Sequence, residues 1–183
     1  FLTALTPLEP HPSFPLPMTH AARKAGTGPM AAVAGFVADS VNDGLRRLIS
    51  PKKILVENGG DISAWAEDEV RIGIFAGPSP LSGRLGVTVP CRGQRRGICT
   101  SSGSVGHSLS FGKADAAVII CESAALADAH ATAAANRIRI RADLEKVIEE
   151  LKADPDILGS ILIMDDEVAV SGQCPLYARR TTS

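Results

Sequence analysis

Aromatic side chains are scarce in this sequence: one Trp, one Tyr and five Phe in 183 residues. The core must therefore be filled by Val, Ile, Leu and Ala. The four cysteines, at 91, 99, 121 and 174, form no CxxC pair, and none of their spacings suits a zinc site. Such usage fits a reducing compartment, and a cytoplasmic protein is expected. No apolar run approaches the ~20 residues of a bilayer span. Charge of one sign is lacking too: 19 basic residues stand against 20 acidic ones, for a formal charge of −1. The basic clusters Arg95-Arg96, Arg137/Arg139/Arg141 and Arg179-Arg180 are short and read as solvated faces, so nucleic acid is not an expected partner. The sequence opens on Phe1 rather than Met, which reads as a chain processed or truncated at its N-terminus.

The apolar fraction is 45%. At this length folding buries about 70% of the unfolded surface, so one domain needs no disulfide or metal staple. Half of the 12 prolines precede residue 30. Residues 1–28, with "PLEPHPSFPLP", are expected as an extended, irregular arm, because proline fixes φ and restricts the residue before it. Residues 29–183 are expected to form the domain proper. Its first helix starts at Pro29, and Val33, Phe36, Val37, Val41, Leu45 and Leu48 recur there at helical spacing. Gly35 interrupts that helix, for close packing or for close approach of a ligand. The strands expected are "KILVEN", "DISAWA", "EVRIGIFA", "RLGVTVP" and "DAAVIIC". A helix follows with Ser123 as N-cap, then the amphipathic helix "RADLEKVIEELKAD", then a hairpin turning at Asp165-Asp166. Strands with near connections and paired helices favour α+β, an antiparallel sheet with helices on one side.

Three stretches carry candidate chemistry. In "ENGGDI", Gly59 and Gly60 leave the backbone open and Asp61 places a carboxylate beside it. The stretch is either a plain hairpin corner or a site of ligand approach. In "CTSSGSVGH", Thr100, Ser101, Ser102 and Gly103 begin a polar tract. Its N–H groups could ring a phosphate or carboxylate, or simply form a loop. It lacks the GK[ST] ending of a P-loop. Cys99 could act as a nucleophile with His107 as its base. In "ADAHATA", Asp128 and Thr132 are i and i+4 on one helix face among alanines. A carboxylate and a hydroxyl make a partial shell for Mg²⁺. The partner implied is a small-molecule nucleotide or anion.

The stretches "GPMAAVAG", "VENGGDI", "SPLSG", "GICTSSGSVGHSLSFGKADA" and "ALADAHATAAANR", in that order, resemble the ApbE superfamily. Its best-known members are Mg²⁺-dependent FAD:protein FMN transferases, and the likeness is greatest to a shorter, poorly characterised branch. It runs from about Phe1 to Gly172. The resemblance implies a T-fold type: an antiparallel sheet with two long helices on one face, commonly assembled into homo-oligomers. It also implies that a strand-rich N-terminal piece is missing here. By the same resemblance Asp128 and Thr132 would bind Mg²⁺, and Gly35, Gly59 and Gly60 would lie beside FAD or FMN. Asp61 belongs to the family's GGDI element, and His107 matches its HIIDP histidine. Ala34 and Phe36 stand where the transferase helix has Lys and Tyr, and no Asp-Pro follows His107. Three activities stay open: flavin-nucleotide or pyrophosphate handling of the FMN-transferase type, a non-catalytic nucleotide- or anion-binding module, and a thiol-based sulfur-metabolism enzyme using Cys99.

Overall fold

The computed structural model describes residues 15–103 and 112–179. The chain order is helix α1 (Leu16–Ala25), a short 3₁₀ turn, α2 (Val33–Leu48), then strands β1 (Lys53–Asn58), β2 (Asp61–Ala66), β3 (Glu69–Gly73), β4 (Leu85–Pro90), β5 (Arg95–Ser101) and β6 (Ala116–Cys121). Helices α3 (Ala124–Arg137) and α4 (Asp143–Ala153) follow, then β7 (Gly159–Met164), β8 (Glu167–Gly172) and β9 (Leu176–Ala178). Six strands form one antiparallel sheet in the order β1-β2-β5-β6-β7-β8. Three more form a second sheet, β3-β4-β9.

The α+β expectation of antiparallel strands with helices packed on one side holds, with differences of detail. Among the described residues there are four α-helices rather than two long ones, and two sheets rather than one. The large sheet is packed on both faces. Cys99, Ile119, Cys121 and Leu162 point into a core shared with α3 and α4. Ile98, Val118, Ile120, Ile161 and Ile163 point the other way, onto Val70, Val87 and Val89 of the small sheet. Every residue of β6 is buried, which is why "AAVIIC" reads as an unbroken apolar run rather than an alternating one. Ser123 caps α3 as expected, its hydroxyl accepting from the Leu126 N–H at 3.3 Å. The hairpin at Asp165-Asp166 also forms as expected.

Three expectations are corrected. Residues 16–25 of the expected extended arm are helix α1, while residues 1–14 lie outside the described residues. Pro15 and Pro17 sit at the start of α1, where missing N–H groups cost nothing, and Gly26 closes it at φ 68°. The polar tract "CTSSGSVGH" begins in a strand rather than a loop, since Cys99, Thr100 and Ser101 end the central strand β5. It reads as loop because it is small and hydroxylic, and smallness is what the packing of β5 demands: a Cβ on Gly97 would overlap the Ser123 carbonyl and the Ala124 N–H. Finally, the aliphatic stripe of α2 is divided: Val33 and Phe36 pack against the core, whereas Val37, Val41, Leu45 and Leu48 are exposed. The helix buries Gly35, Ala38, Asp39 and Asn42 instead of those four. No helix among the described residues is long and apolar enough to cross a membrane.

Candidate functional site

The site begins at the β1–β2 corner. Asn58 and Asp61 are register partners, so the turn itself is Gly59-Gly60, with φ of 67° and 101°. A two-residue turn with both φ values positive is the hairpin connection that glycine adopts without strain. The pair of glycines is therefore required by the turn. The last of the four residues, Asp61, is already the first of β2 and is paired with Cys99 of β5.

Side chains alternate along a strand. Asp61, Ser63 and Cys99 face the helices, whereas Ile62 and Ile98 face the small sheet. On the helix side Asp61 meets Asp128 of α3. Both carboxyls are buried. Burial pushes Asp61 up to about 8, reinforced by the charge of Asp128, while the Cys99 thiol and the Thr100 N–H pull the other way. Burial likewise pushes Asp128 up to about 7, against the N–H groups of Gly35 and Ala34. The Gly35 N–H donates to Asp128 Oδ2 at 3.0 Å. A Cβ on Gly35 would overlap the Ala124 carbonyl, so the glycine also lets α2 and α3 touch. Asn58 Nδ2 donates to the Ala34 carbonyl at 3.2 Å, tying the corner to the same turn of α2.

On the opposite side of β2 and β5 a cleft of about 400 Å³ opens at the same corner. Gly59, Gly60, Thr100 and Ser102 line it, together with Ile62 and Arg71. The structure thus brings Asp61, Asp128, Cys99 and Gly35 together on one face of the sheet. It sets Gly59, Gly60, Thr100 and Ser102 around a cleft on the other, with the glycine corner between them. Thr132 lies one turn along α3 from Asp128 and is half-buried. Ser101 ends β5, half-buried on the Cys99 side. Gly103 donates its N–H to the Ala114 carbonyl at 2.8 Å and is packed too closely against Gly112 to admit a side chain. His107 and the rest of the tract, residues 104–111, lie outside the described residues.

Cys99 is fully buried. Its Sγ sits 3.3 Å from the Ala124 carbonyl, and burial among Asp61, Asp128 and Asp39 pushes the thiol well above its ordinary value. Nucleophilic cysteines need the opposite surroundings, positive and accessible.

A polar network beneath α2 was not singled out from the sequence. Asp39 accepts from Ser63 Oγ at 2.7 Å and from the Ala125 N–H at 3.2 Å, and it pairs with Arg95 at 3.3 Å. Asn42 donates to the Ser63 carbonyl at 2.9 Å. The available signal was Gly35, Asp39 and Asn42, which recur at helical spacing opposite the aliphatic stripe.

The buried carboxyl pair makes stability depend on pH. Unfolded, these aspartates ionise near 3.8; folded, they keep their protons until about 7 and about 8. The folded state binds more protons across that window, so stability falls as pH rises through it. The contribution is complete below pH 3.8 and gone above about 8. Melting temperatures of the metal-free protein are expected to fall over this range, and the Asp61→Asn/Asp128→Asn double variant to flatten the fall. An equally steep fall in the double variant would assign it to other groups.

Two packed antiparallel sheets with helices laid over the larger one, and a glycine corner carrying a buried aspartate, define an ApbE-like protein. The architecture resembles the apo flavinyl transferase ApbE of Pseudomonas stutzeri, with a TM-score of 0.51 and 18% identity over 93% of this chain and 64% of that one. The sequence model of the family described as AbpE bacteria matches residues 1–171, and the chain belongs to that family. It is 43% identical over 162 residues to a UPF0280 protein of Methanocella arvoryzae, covering 88% of this chain and 65% of the relative. It is 42% identical over 181 residues to one of Methanoculleus marisnigri, covering 98% of this chain and 73% of the relative. The chain therefore spans about two-thirds to three-quarters of the length of these relatives.

Proposed function

We propose that this protein handles a flavin nucleotide, or another pyrophosphate compound, with Mg²⁺, by chemistry of the FMN-transferase type on a T-fold-like scaffold. The observation that carries the reading is the pair of buried, proton-retaining carboxyls Asp61 and Asp128 at the glycine corner. A cation between two such groups would favour their ionised forms and let both lose their protons at a lower pH. The donors at hand, Asp61, Asp128 and the hydroxyl of Thr132, are all oxygen. No cluster of three or more His, Cys, Asp or Glu suited to a metal exists among the described residues. A hard cation that takes oxygen ligands and keeps waters or substrate phosphates fits that incomplete set, and Mg²⁺ is one. When bound, Mg²⁺ would neutralise charge on phosphate oxygens.

The chain's own groups would do the rest. Gly35 and Thr100 aim the two carboxylates through their N–H groups. The cleft would take the ring system of the nucleotide along Ile62 and Ile98, where no side chain at Gly59 or Gly60 blocks entry. Arg71 and the hydroxyls of Thr100 and Ser102 line the same cleft, and the phosphates would have to run from it past the open Gly59-Gly60 corner to reach a cation held by Asp61 and Asp128. The name of the Pseudomonas stutzeri relative, a flavinyl transferase, supports the flavin part of this reading.

A second reading has a specific observation behind it. Ala34 and Phe36 replace the Lys and Tyr of the transferase helix, which favours a module that binds the ligand without transferring it. The thiol-based reading loses support, because Cys99 is buried among carboxylates. Native mass spectrometry with FAD, with Mg²⁺ and with both tests the proposal. Binding of FAD strengthened by Mg²⁺ is expected in the wild type and absent in Asp61→Asn/Asp128→Asn. Failure of Mg²⁺ to change FAD occupancy would overturn the metal reading. Binding without turnover would select the module.

A further inference from the structure

Helix α2 is amphipathic in the reverse sense. Val37, Val41, Leu45 and Leu48, with Ile49 just beyond the helix, are 37% to 81% exposed. Its buried face is the polar one. The helix cannot roll to hide the aliphatics. The Gly35 N–H is held by Asp128, Asn42 by the Ser63 carbonyl, and Asp39 by Ser63 and Ala125. Rotation would strip these buried groups of partners they cannot replace. The helix lies at the β1 edge of the sheet, against β1, β2 and α3, which leaves its outer side uncovered among the described residues.

The exposed face has an internal pattern. Val37, Val41, Gly44 and Leu48 are spaced four, three and four, the spacing of an apolar helix–helix seam. No charged residue interrupts it. Gly44 is the informative member. Glycine inside a helix is unfavourable. At Gly35 close packing explains it, but at Gly44 nothing else among the described residues lies within 4 Å of where a Cβ would stand. Packing among the described residues does not account for this glycine, and the open space over it is suited to a second helix.

We propose that α2 is the interface of a homodimer, packed antiparallel against α2 of a second copy. The seam is symmetric about its own midpoint, so an antiparallel copy sets Val37 against Leu48 and seats Val41 in the gap over Gly44. Both contacts repeat across the twofold, as a self-complementary patch requires. The stripe exposes roughly 400 Å² of aliphatic surface, in the range of the largest patch a monomer carries and about half of the ~800 Å² per partner of a stable interface. Ser40 and Arg47, exposed at its margins, would widen the contact.

Sedimentation velocity on the 183-residue chain tests this, with twice 19.1 kDa as the expected mass. Val41→Asp is expected to give the monomer with unchanged circular dichroism. Gly44→Leu, which fills the gap, is expected to weaken dimerisation by about tenfold or more while raising the melting temperature of the monomer, since leucine favours helix. A loss of folding would lower that temperature, so the opposite signs separate the interface from a structural defect. A monomeric wild type would overturn the proposal, whether its stripe is open or covered by another part of the chain. So would a dimer that both variants leave intact.

Discussion

Asp128→Ala is expected to weaken Mg²⁺ binding by about 100-fold or more and to take any Mg²⁺-dependent hydrolysis of FAD to background. The variant leaves Asp61 as the one carboxylate of the pair and Thr132 as a neutral donor, a poor holder for a hard dication. It also orphans the Gly35 N–H, which now donates to Asp128 Oδ2. Folding should survive, because a buried carboxyl that retains its proton to about pH 7 is not an anchoring charge. Titration calorimetry with Mg²⁺, and chromatography of FAD incubated with Mg²⁺ or with EDTA, read the two effects separately. Thr132→Ala should give a smaller loss of the same kind. Cys99→Ala should leave hydrolysis largely intact, since a thiol held protonated by burial contributes no nucleophile. Equal rates with Mg²⁺ and EDTA would sink the metal chemistry. Activity that dies with Cys99→Ala yet survives Asp128→Ala would reinstate the thiol.

Gly97→Val is expected to cost about 3 kcal/mol or more of folding stability, a large share of the 5–15 kcal/mol typical of a domain. Gly97 lies in central strand β5, directly under the start of α3. A Cβ there would overlap backbone atoms, the Ser123 carbonyl and the Ala124 nitrogen, which no side-chain rotation can clear. Relief requires lifting α3 off the sheet, and α3 carries Asp128. The urea midpoint should fall with an unchanged slope. Mg²⁺ binding should weaken as well, because the carboxylate moves with its helix. By contrast Gly59→Ala, at an open position of positive φ, should cost only about 1 kcal/mol, through backbone strain rather than overlap. A Gly97→Val protein as stable as wild type would mean that the helix does not approach as closely as described.

Most of the elements were legible before any tertiary information. The strands "KILVEN" and "DISAWA" coincide with β1 and β2, and Ser123 caps α3 as its position before an alanine-rich run predicts. These are local properties: alternation, a capping hydroxyl, a corner built from glycine. Two mistakes share one cause. The start of "CTSSGSVGH" has the composition of a loop and the stripe of α2 that of an inner face, yet in both places the neighbouring element decides. In β5 the neighbour is a helix terminus that admits nothing larger than glycine at position 97. In α2 it is a polar strand face, where Ser63 and Arg95 partner Asp39 and the Ser63 carbonyl accepts from Asn42 Nδ2.

By itself, then, the sequence determined the class, α+β with an antiparallel sheet. It also determined the hairpin at Gly59-Gly60, and the residue types that a cation and a phosphate would require. Those follow from backbone conformation and side-chain chemistry, which act over a few residues. Only the tertiary structure decided that Asp61 and Asp128, 67 positions apart in the chain, share one buried environment and hold their protons there. Only it decided that Cys99 lies buried beside them, its thiol pushed up by desolvation, and which side of α2 meets solvent. Desolvation and charge coupling depend on what surrounds a group on every side, and strand pairing and helix packing assemble those surroundings from distant parts of the chain.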